Sequence, residues 1–242
     1  MTWSILARDQ TGRFGVAIAS RFFAVGALCV HARRGVGVLA TQALMNPLYG
    51  PAGIAMLADG WAAADAIAAL VDADAGQGHR QLHLLPAAGA PAAHTGDQCI
   101  DWCGHSCGND YSVAGNMLAG EAVIAATVSA WVGNPQRPLA ERLLIAMRAG
   151  EAAGGDKRGR QAAALRIQGD EDHAELDLRV DDHADPLAEL QRLYEISQQR
   201  YQPFVACLPG RHDAVGVTDR AEIEQRIAQF QLRRAAAGAP PR

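Results

Sequence analysis

The second residue carries the chemistry of most interest. Removal of Met1, which the small Thr2 side chain permits, would leave the Thr2 hydroxyl beside a free α-amine. Such an amine titrates at about 7.7–8.0, far below a lysine, so a useful fraction is neutral at physiological pH and accepts the hydroxyl proton. Nucleophile and base then come from one residue. Three other clusters carry potential chemistry. Cys99, Cys103 and Cys107, with His94 and His105 close by, are metal-ligand types, but their uniform spacing lacks tight Cys-x-x-Cys pairs, and small buried thiols answer the same pattern. Gly154-Gly155-Asp156-Lys157-Arg158-Gly159 has the composition of a phosphate loop without its Gly-Lys-Ser or Gly-Lys-Thr ending, and it leads into a strand instead of a helix. Asp181, Asp182, His183 and Asp185 follow a strand and form either a cation site or a solvated acidic loop. No metal and no cofactor is expected.

A hydroxyl aimed at a substrate needs a rigid element behind it, and the chain opens with one. Trp3, Ile5 and Ala7 alternate with Ser4, Leu6 and Arg8, Asp9 to Gly12 supplies turn chemistry, and Phe14 to Ser20 resumes an extended apolar pattern, which predicts a hairpin. Ala27 to His31 and Val36 to Gln42 read as strands around an Arg33-Arg34-Gly35 turn. Asn46-Pro47 and Pro51 then break the sheet before Ala-rich helices from Gly53 to Leu70, interrupted near Asp59-Gly60-Trp61. Strands are expected at Gln81–Pro86, Pro91–Thr95 and Tyr111–Met117, with Gly96 to Asn109 as a loop between the last two. Helices follow at Glu121–Trp131 and Leu139–Ala152, then strands at Gln161–Ile167 and Leu176–Val180, and a helix from Pro186 to near Arg200. Strands and helices come in blocks without regular alternation, which points to an α+β fold of antiparallel sheet covered by helices. Residues 201–242 read as an appendage, irregular to Val217, helical over Arg220–Arg233 and ending in a frayed Ala-Gly-Pro tail.

Composition narrows the function. The 242 residues hold 22 Lys plus Arg against 26 Asp plus Glu, a formal charge of −4, so nothing favours nucleic acid or an anionic membrane surface. Apolar residues at 49% and charged residues at 20% suit a folded domain. The uncharged stretch from Gly35 to Ala58 contains Gln42, Asn46, Pro47 and Pro51 and is not a membrane span. No secretory leader is visible, so a cytoplasmic protein with reduced thiols is expected. Lys157 is the single lysine among 22 basic residues.

A run of motifs then resembles a known family. Met1 to Asp9, Gly15 to Phe22, Gly35-Val36-Gly37 with Ala40-Thr41-Gln42-Ala43, Asn46-Pro47-Leu48-Tyr49-Gly50, His94-Thr95-Gly96, Cys99, Gly115-Asn116-Met117-Leu118, Gly154 to Gln161 and Leu178 to His183 look like the bacterial and archaeal domain of unknown function 1028. The resemblance implies a fold like that of the N-terminal nucleophile (Ntn) hydrolases, a four-layer αββα sandwich with the nucleophile opening the first strand. It covers a first domain of residues 1–200 and leaves 201–242 as a C-terminal appendage, too short for the peptidoglycan-binding module some longer relatives append. The sequence departs from the family pattern at Ala162, where Ser is expected, and Cys103 and Cys107 lie outside it.

The expected function is therefore an amide hydrolase acting on a small polar or peptide-like amide, with Thr2 as nucleophile and its own amine as base. Developing charge on the carbonyl oxygen needs fixed donors, each worth about 3–4 kcal/mol. Asn116 and Asn46 are the candidates, although Asn in turns also bonds its own backbone. Ser20 joins the catalytic set by closing the second strand, where with Arg21 it orients the amine. Arg21, Arg33, Asn46, His94, Asp156 and Lys157 form the expected substrate-binding set, Asp156 and Lys157 either anchoring a carboxylate or holding their loop as an ion pair. The alternatives are a noncatalytic metabolite-binding protein on the same fold and an assembly subunit, and a homodimer is compatible with the Ala-rich helices.

Overall fold

The computed structural model describes residues 2–236, and the chain divides into two compact units, Met1–Leu190 and Gln191–Arg242. In the first unit, β1 (Thr2–Arg8) and β2 (Phe14–Ser20) form the expected hairpin. Its turn is held by the Asp9 carboxylate, which accepts from Thr11 N at 2.9 Å, Thr11 Oγ1 at 2.6 Å and Arg13 N at 3.1 Å. Helix α1 (Val25–Cys29) follows, then β3 (Val30–Arg33) and β4 (Gly37–Ala43). Helices α2 (Tyr49–Ala58) and α3 (Ala63–Asp72) precede β5 (Arg80–Pro86) and β6 (Ala92–Thr95). Next come β7 (Trp102–Cys107), β8 (Tyr111–Leu118), α4 (Ala122–Val132), α5 (Leu139–Ala152), β9 (Ala162–Gln168) and β10 (Leu176–Val180).

Two expectations are corrected. The predicted strand over Ala27–His31 is mostly α1, and only its last two residues enter β3. Gly26 makes this packing possible, because a Cβ there would lie 2.4 Å from Ala164 Cβ on β9. The predicted loop from Gly96 to Asn109 contains β7, an edge strand whose half-exposed Cys, Gly and His residues carry no apolar alternation.

All strand pairings are antiparallel, in a six-stranded sheet ordered β10-β9-β2-β1-β8-β7 and a four-stranded sheet ordered β3-β4-β5-β6. Because side chains alternate across a strand, Trp3, Ile5 and Ala7 face one way and Thr2, Ser4 and Leu6 the other. The first set meets α5, while α4 packs on β7 and β8, and at Gly15 a Cβ would lie 2.5 Å from Leu143, so glycine lets α5 close on β2. Helices α2 and α3 pack on the four-stranded sheet through Leu39, Ile54, Ile67, Leu82 and Leu84. The two sheets meet through Leu6, Phe14, Val16, Val38, Ala40 and Leu85.

Helix α6 (Pro186–Ser197) crosses the boundary between the units. The second unit then adds α7 (Tyr201–Val205) within the segment expected to be irregular, and α8 (Arg220–Ala236). Arg200, the residue before α7, pairs with Glu224 of α8 at 2.9 Å. The predicted frayed tail, beyond Ala236, lies outside the described residues. Among the described residues no helix is long and apolar enough to cross a membrane.

Candidate functional site

Thr2, Ser20 and Asn116 meet because three strands end together: Thr2 opens β1, and its backbone partners are Ser20, the last residue of β2, and Asn116 near the end of β8. Thr2 Oγ1 donates to Ser20 Oγ at 3.0 Å, and both residues are buried. The Thr2 carbonyl faces two side-chain amides, Asn116 Nδ2 at 3.4 Å and Gln42 Nε2 at 3.5 Å. Each of these amides also donates to Gln81 Oε1, at 2.9 and 2.7 Å. Gln81 Nε2 in turn donates to Gly115 O at 2.8 Å and Thr95 Oγ1 at 2.9 Å. Both amide hydrogens of Asn116 thus have acceptors, and service as an oxyanion donor requires release of its longer contact to Thr2.

Beyond Thr2 the space between the sheets stays polar for one more residue pair. Ser4 Oγ donates to Gln42 Oε1 at 2.8 Å and lies 2.8 Å from His83 Nε2, while His83 Nδ1 lies 2.9 Å from Ser112 Oγ. A carbonyl oxygen only accepts, so the Ser4 proton goes to Gln42. Ser4 must therefore accept from His83 Nε2–H, leaving Nδ1 to accept from Ser112. The ring is neutral: burial, reinforced by repulsion from His105, pushes its pKa down to about 3. Ser4, Gln42, Gln81, His83 and Ser112 were not among the residues singled out in the sequence. The signal was present, since Ser4, Gln42, Gln81 and His83 occupy inward positions on strands that otherwise place Leu6, Val38, Ala40 or Leu85 there, and Ser112 pairs with Leu6.

Asp156 belongs beside this site. Its carboxylate, almost wholly buried, accepts from Arg21 N and from Arg158 N at 2.8 Å each, and from the Arg158 guanidinium at 3.4 Å. It thereby ties the residue after Ser20 to the glycine-rich segment that follows α5. The Arg21 guanidinium donates to the Arg158 carbonyl. Lys157 pairs with Asp101 at 3.1 Å on the exposed side of the same segment, while the carboxylate of Asp156 pairs with Arg158.

Three expected residues stand apart. Arg33 ends β3 opposite Gly37, at the far end of β4 from Gln42, roughly 16 Å away at about 3.3 Å per residue. Asn46 spends its side chain locally, Nδ2 on Asp74 at 3.1 Å and Oδ1 on Leu48 N at 3.1 Å, as a turn Asn does. His94 pairs with Leu82, so it shares the face turned toward the helices, and its Nε2 lies 3.1 Å from Gln77 O. The thiols also have local roles: Cys99 donates to Arg80 O at 3.5 Å, Cys103 to Cys99 O at 3.7 Å, and Cys107 lies 3.4 Å from Ser112 Oγ. Among the described residues no three His, Cys, Asp or Glu side chains converge as a metal site.

The comparison that decides the family is a match of residues 2–190 to the model of DUF1028, a family of unknown function. The chain belongs to DUF1028. A crystal structure of another DUF1028 protein, from Silicibacter pomeroyi, is 30% identical and superposes with a TM-score of 0.84 over 90% of this chain and 96% of that one. A second solved structure, Anbu (ancestral beta-subunit) from Yersinia bercovieri, is 13% identical with a TM-score of 0.40, over 86% of this DUF1028 chain and 98% of that one, a likeness that carries no argument. No curated protein matches.

Proposed function

We propose that this DUF1028 protein hydrolyses an amide bond with Thr2 as nucleophile, exposed by removal of Met1, on a four-layer αββα sandwich of the Ntn-hydrolase kind. The observation that carries the reading is the 3.0 Å hydrogen bond between Thr2 Oγ1 and Ser20 Oγ at the meeting point of three strand ends. The layering is supported by α4 and α5 on one sheet and α2 and α3 on the other. In the proposed step Thr2 Oγ attacks the amide carbonyl and its proton passes to the α-amine, which delivers it to the leaving amine as the C–N bond breaks. Water then hydrolyses the ester and releases a carboxylic acid. Ser20 orients the hydroxyl, and Asp156 holds the Ser20–Arg21 backbone in place.

The test is intact mass of the native protein before and after a β-lactone. Absence of Met1 and a single adduct mapped to Thr2, abolished in Thr2→Ala, supports the proposal. Retained Met1 with no adduct overturns it. One observation favours a second reading, a noncatalytic protein that holds a small polar metabolite: the amides beside Thr2 already have protein acceptors. That reading requires ligand-induced stabilisation to survive Thr2→Ala.

A further inference from the structure

The edge of the first unit where Thr2 lies carries two features the hydrolytic reading does not use. The segments leaving the ends of β2 and β4, and the one entering β7, present Phe22, Phe23, Leu44, Leu48 and Ile100 to solvent, from 46% exposed at Phe22 to 75% at Leu48. Their placement follows from register. Phe22 comes two residues after Ser20, Leu44 two after Gln42, and Ile100 two before Trp102, which pairs with Leu118 just beyond Asn116. Among the described residues up to Leu190, the other exposed large apolar side chains are Leu28 on α1, Trp61 between α2 and α3, and Val132 at the end of α4.

The second feature is backbone conformation. Among the described residues, the non-glycine positions with positive φ are Ala24 (51°), Ala43 (68°), Asp101 (57°) and Met117 (52°). L-residues adopt this left-handed region at a cost of roughly 1–2 kcal/mol each, and such strain gathers where function over-determines the structure. All four flank this edge, and three adjoin a rim residue: Phe23-Ala24, Ala43-Leu44 and Ile100-Asp101. Solvent-facing apolar side chains beside strained backbone gain nothing from folding alone.

We infer that this rim receives the apolar part of the substrate, so that the scissile amide carries a bulky aliphatic or aromatic acyl group. The inference rests on the hydrolase reading above and narrows its expected small polar or peptide-like amide to an acyl amide whose tail lies across Phe22, Phe23, Leu44, Leu48 and Ile100 while the carbonyl reaches Thr2.

The test is a series of β-lactones with lengthening alkyl chains, used below their aggregation concentrations, with the second-order rate of acylation followed by intact mass. The Thr2 Oγ–carbonyl bond forms, the ring C–O bond breaks, and the Thr2 proton ends on the released hydroxyl, so the whole lactone mass is added. The expected result is a rate at Thr2 rising about fourfold per methylene laid on the rim. Phe23→Ser and Leu44→Ser flatten the series, while Trp61→Ser, away from this edge, leaves its slope intact. Acylation of Thr2 at rates independent of chain length overturns this inference and spares the hydrolase reading. No acylation of Thr2 by any member removes both. A mass in ultracentrifugation that falls in Phe23→Ser and Leu44→Ser, with the chain-length series unchanged, makes the rim an interface between copies and overturns the substrate assignment.

Discussion

Gln81 is the point at which the candidate site is most exposed to a single substitution. In Gln81→Leu the volume is nearly kept, but Gln42 Nε2 and Asn116 Nδ2 lose their acceptor at 2.7 and 2.9 Å and keep only the contacts of 3.5 and 3.4 Å to the Thr2 carbonyl. Each buried donor left without a good partner costs about 1–3 kcal/mol, so the expected loss is about 2–6 kcal/mol. At a central 4 kcal/mol the thermal midpoint of a unit of this size falls by about 8–16 °C. The double variant Gln42→Leu/Gln81→Leu removes one of those orphaned donors and should cost less than the sum of the single changes by at least about 1 kcal/mol. Urea unfolding followed by circular dichroism gives all three values. A loss below about 1 kcal/mol for Gln81→Leu, or singles that simply add, refutes the view that these amides form one coupled unit.

Three further outcomes are expected. The unfolded chain protonates His83 below about pH 6.5, whereas the folded chain resists until about pH 3, so its contribution is complete above pH 6.5 and falls by about 1.4 kcal/mol per unit as pH drops; His83→Phe should show a shallower loss between pH 6 and 4 in the same unfolding assay. Asp74 accepts from Tyr49 OH at 2.8 Å, Gly76 N at 2.8 Å, Asn46 Nδ2 at 3.1 Å and Arg80 Nε at 3.2 Å, and Asp74→Asn should cost about 2–3 kcal/mol at pH 7 in calorimetry. The Tyr49 hydroxyl, with its other donors, holds the Asp74 carboxyl well below the usual range, so this stabilisation is present above about pH 3.8 and the gap between wild type and variant should close as pH falls further. Gly15→Ala drives a Cβ to 2.5 Å from Leu143 and should cost about 1–3 kcal/mol by overpacking, with Leu143→Ala restoring part of it.

Much of the architecture could be read before any coordinates. An extended apolar pattern on either side of a turn locates β1 and β2, which are buried on both faces, and the apolar spacing of Leu139, Leu143, Leu144 and Met147 locates α5, which buries that stripe. Short elements were less legible. Five residues of α1 cannot show a helical period, and its place is decided by contact with β9. In β7 the neighbours cover only part of the strand, so selection leaves no apolar face to detect. Within the site, Thr2 and Ser20 were legible as strand ends, whereas Asn116, expected in a glycine-bearing turn, lies inside β8. The expected roles of Arg33, Asn46 and His94 were not matched by position, since which end and which face of a strand a residue occupies depends on pairings between distant segments. The buried amides escaped notice because a lone Gln in an apolar strand acquires meaning only when its counterparts arrive from the other sheet.

The seam between the sheets is oily at one end and hydrogen-bonded at the other, and this division gives the pair of sheets an alignment key. Leu6, Phe14, Val16, Val38 and Leu85 would tolerate sliding by a step, since one methyl contact resembles the next. The other end would not: a shift of one residue would bring Ser4, Gln42, Gln81 and His83 against the wrong partners, and every proton in the Ser112-to-Gln42 chain has a single direction to point. The apolar half pulls the layers together, and the polar half sets where they stop, which fixes the depth at which the first strand begins.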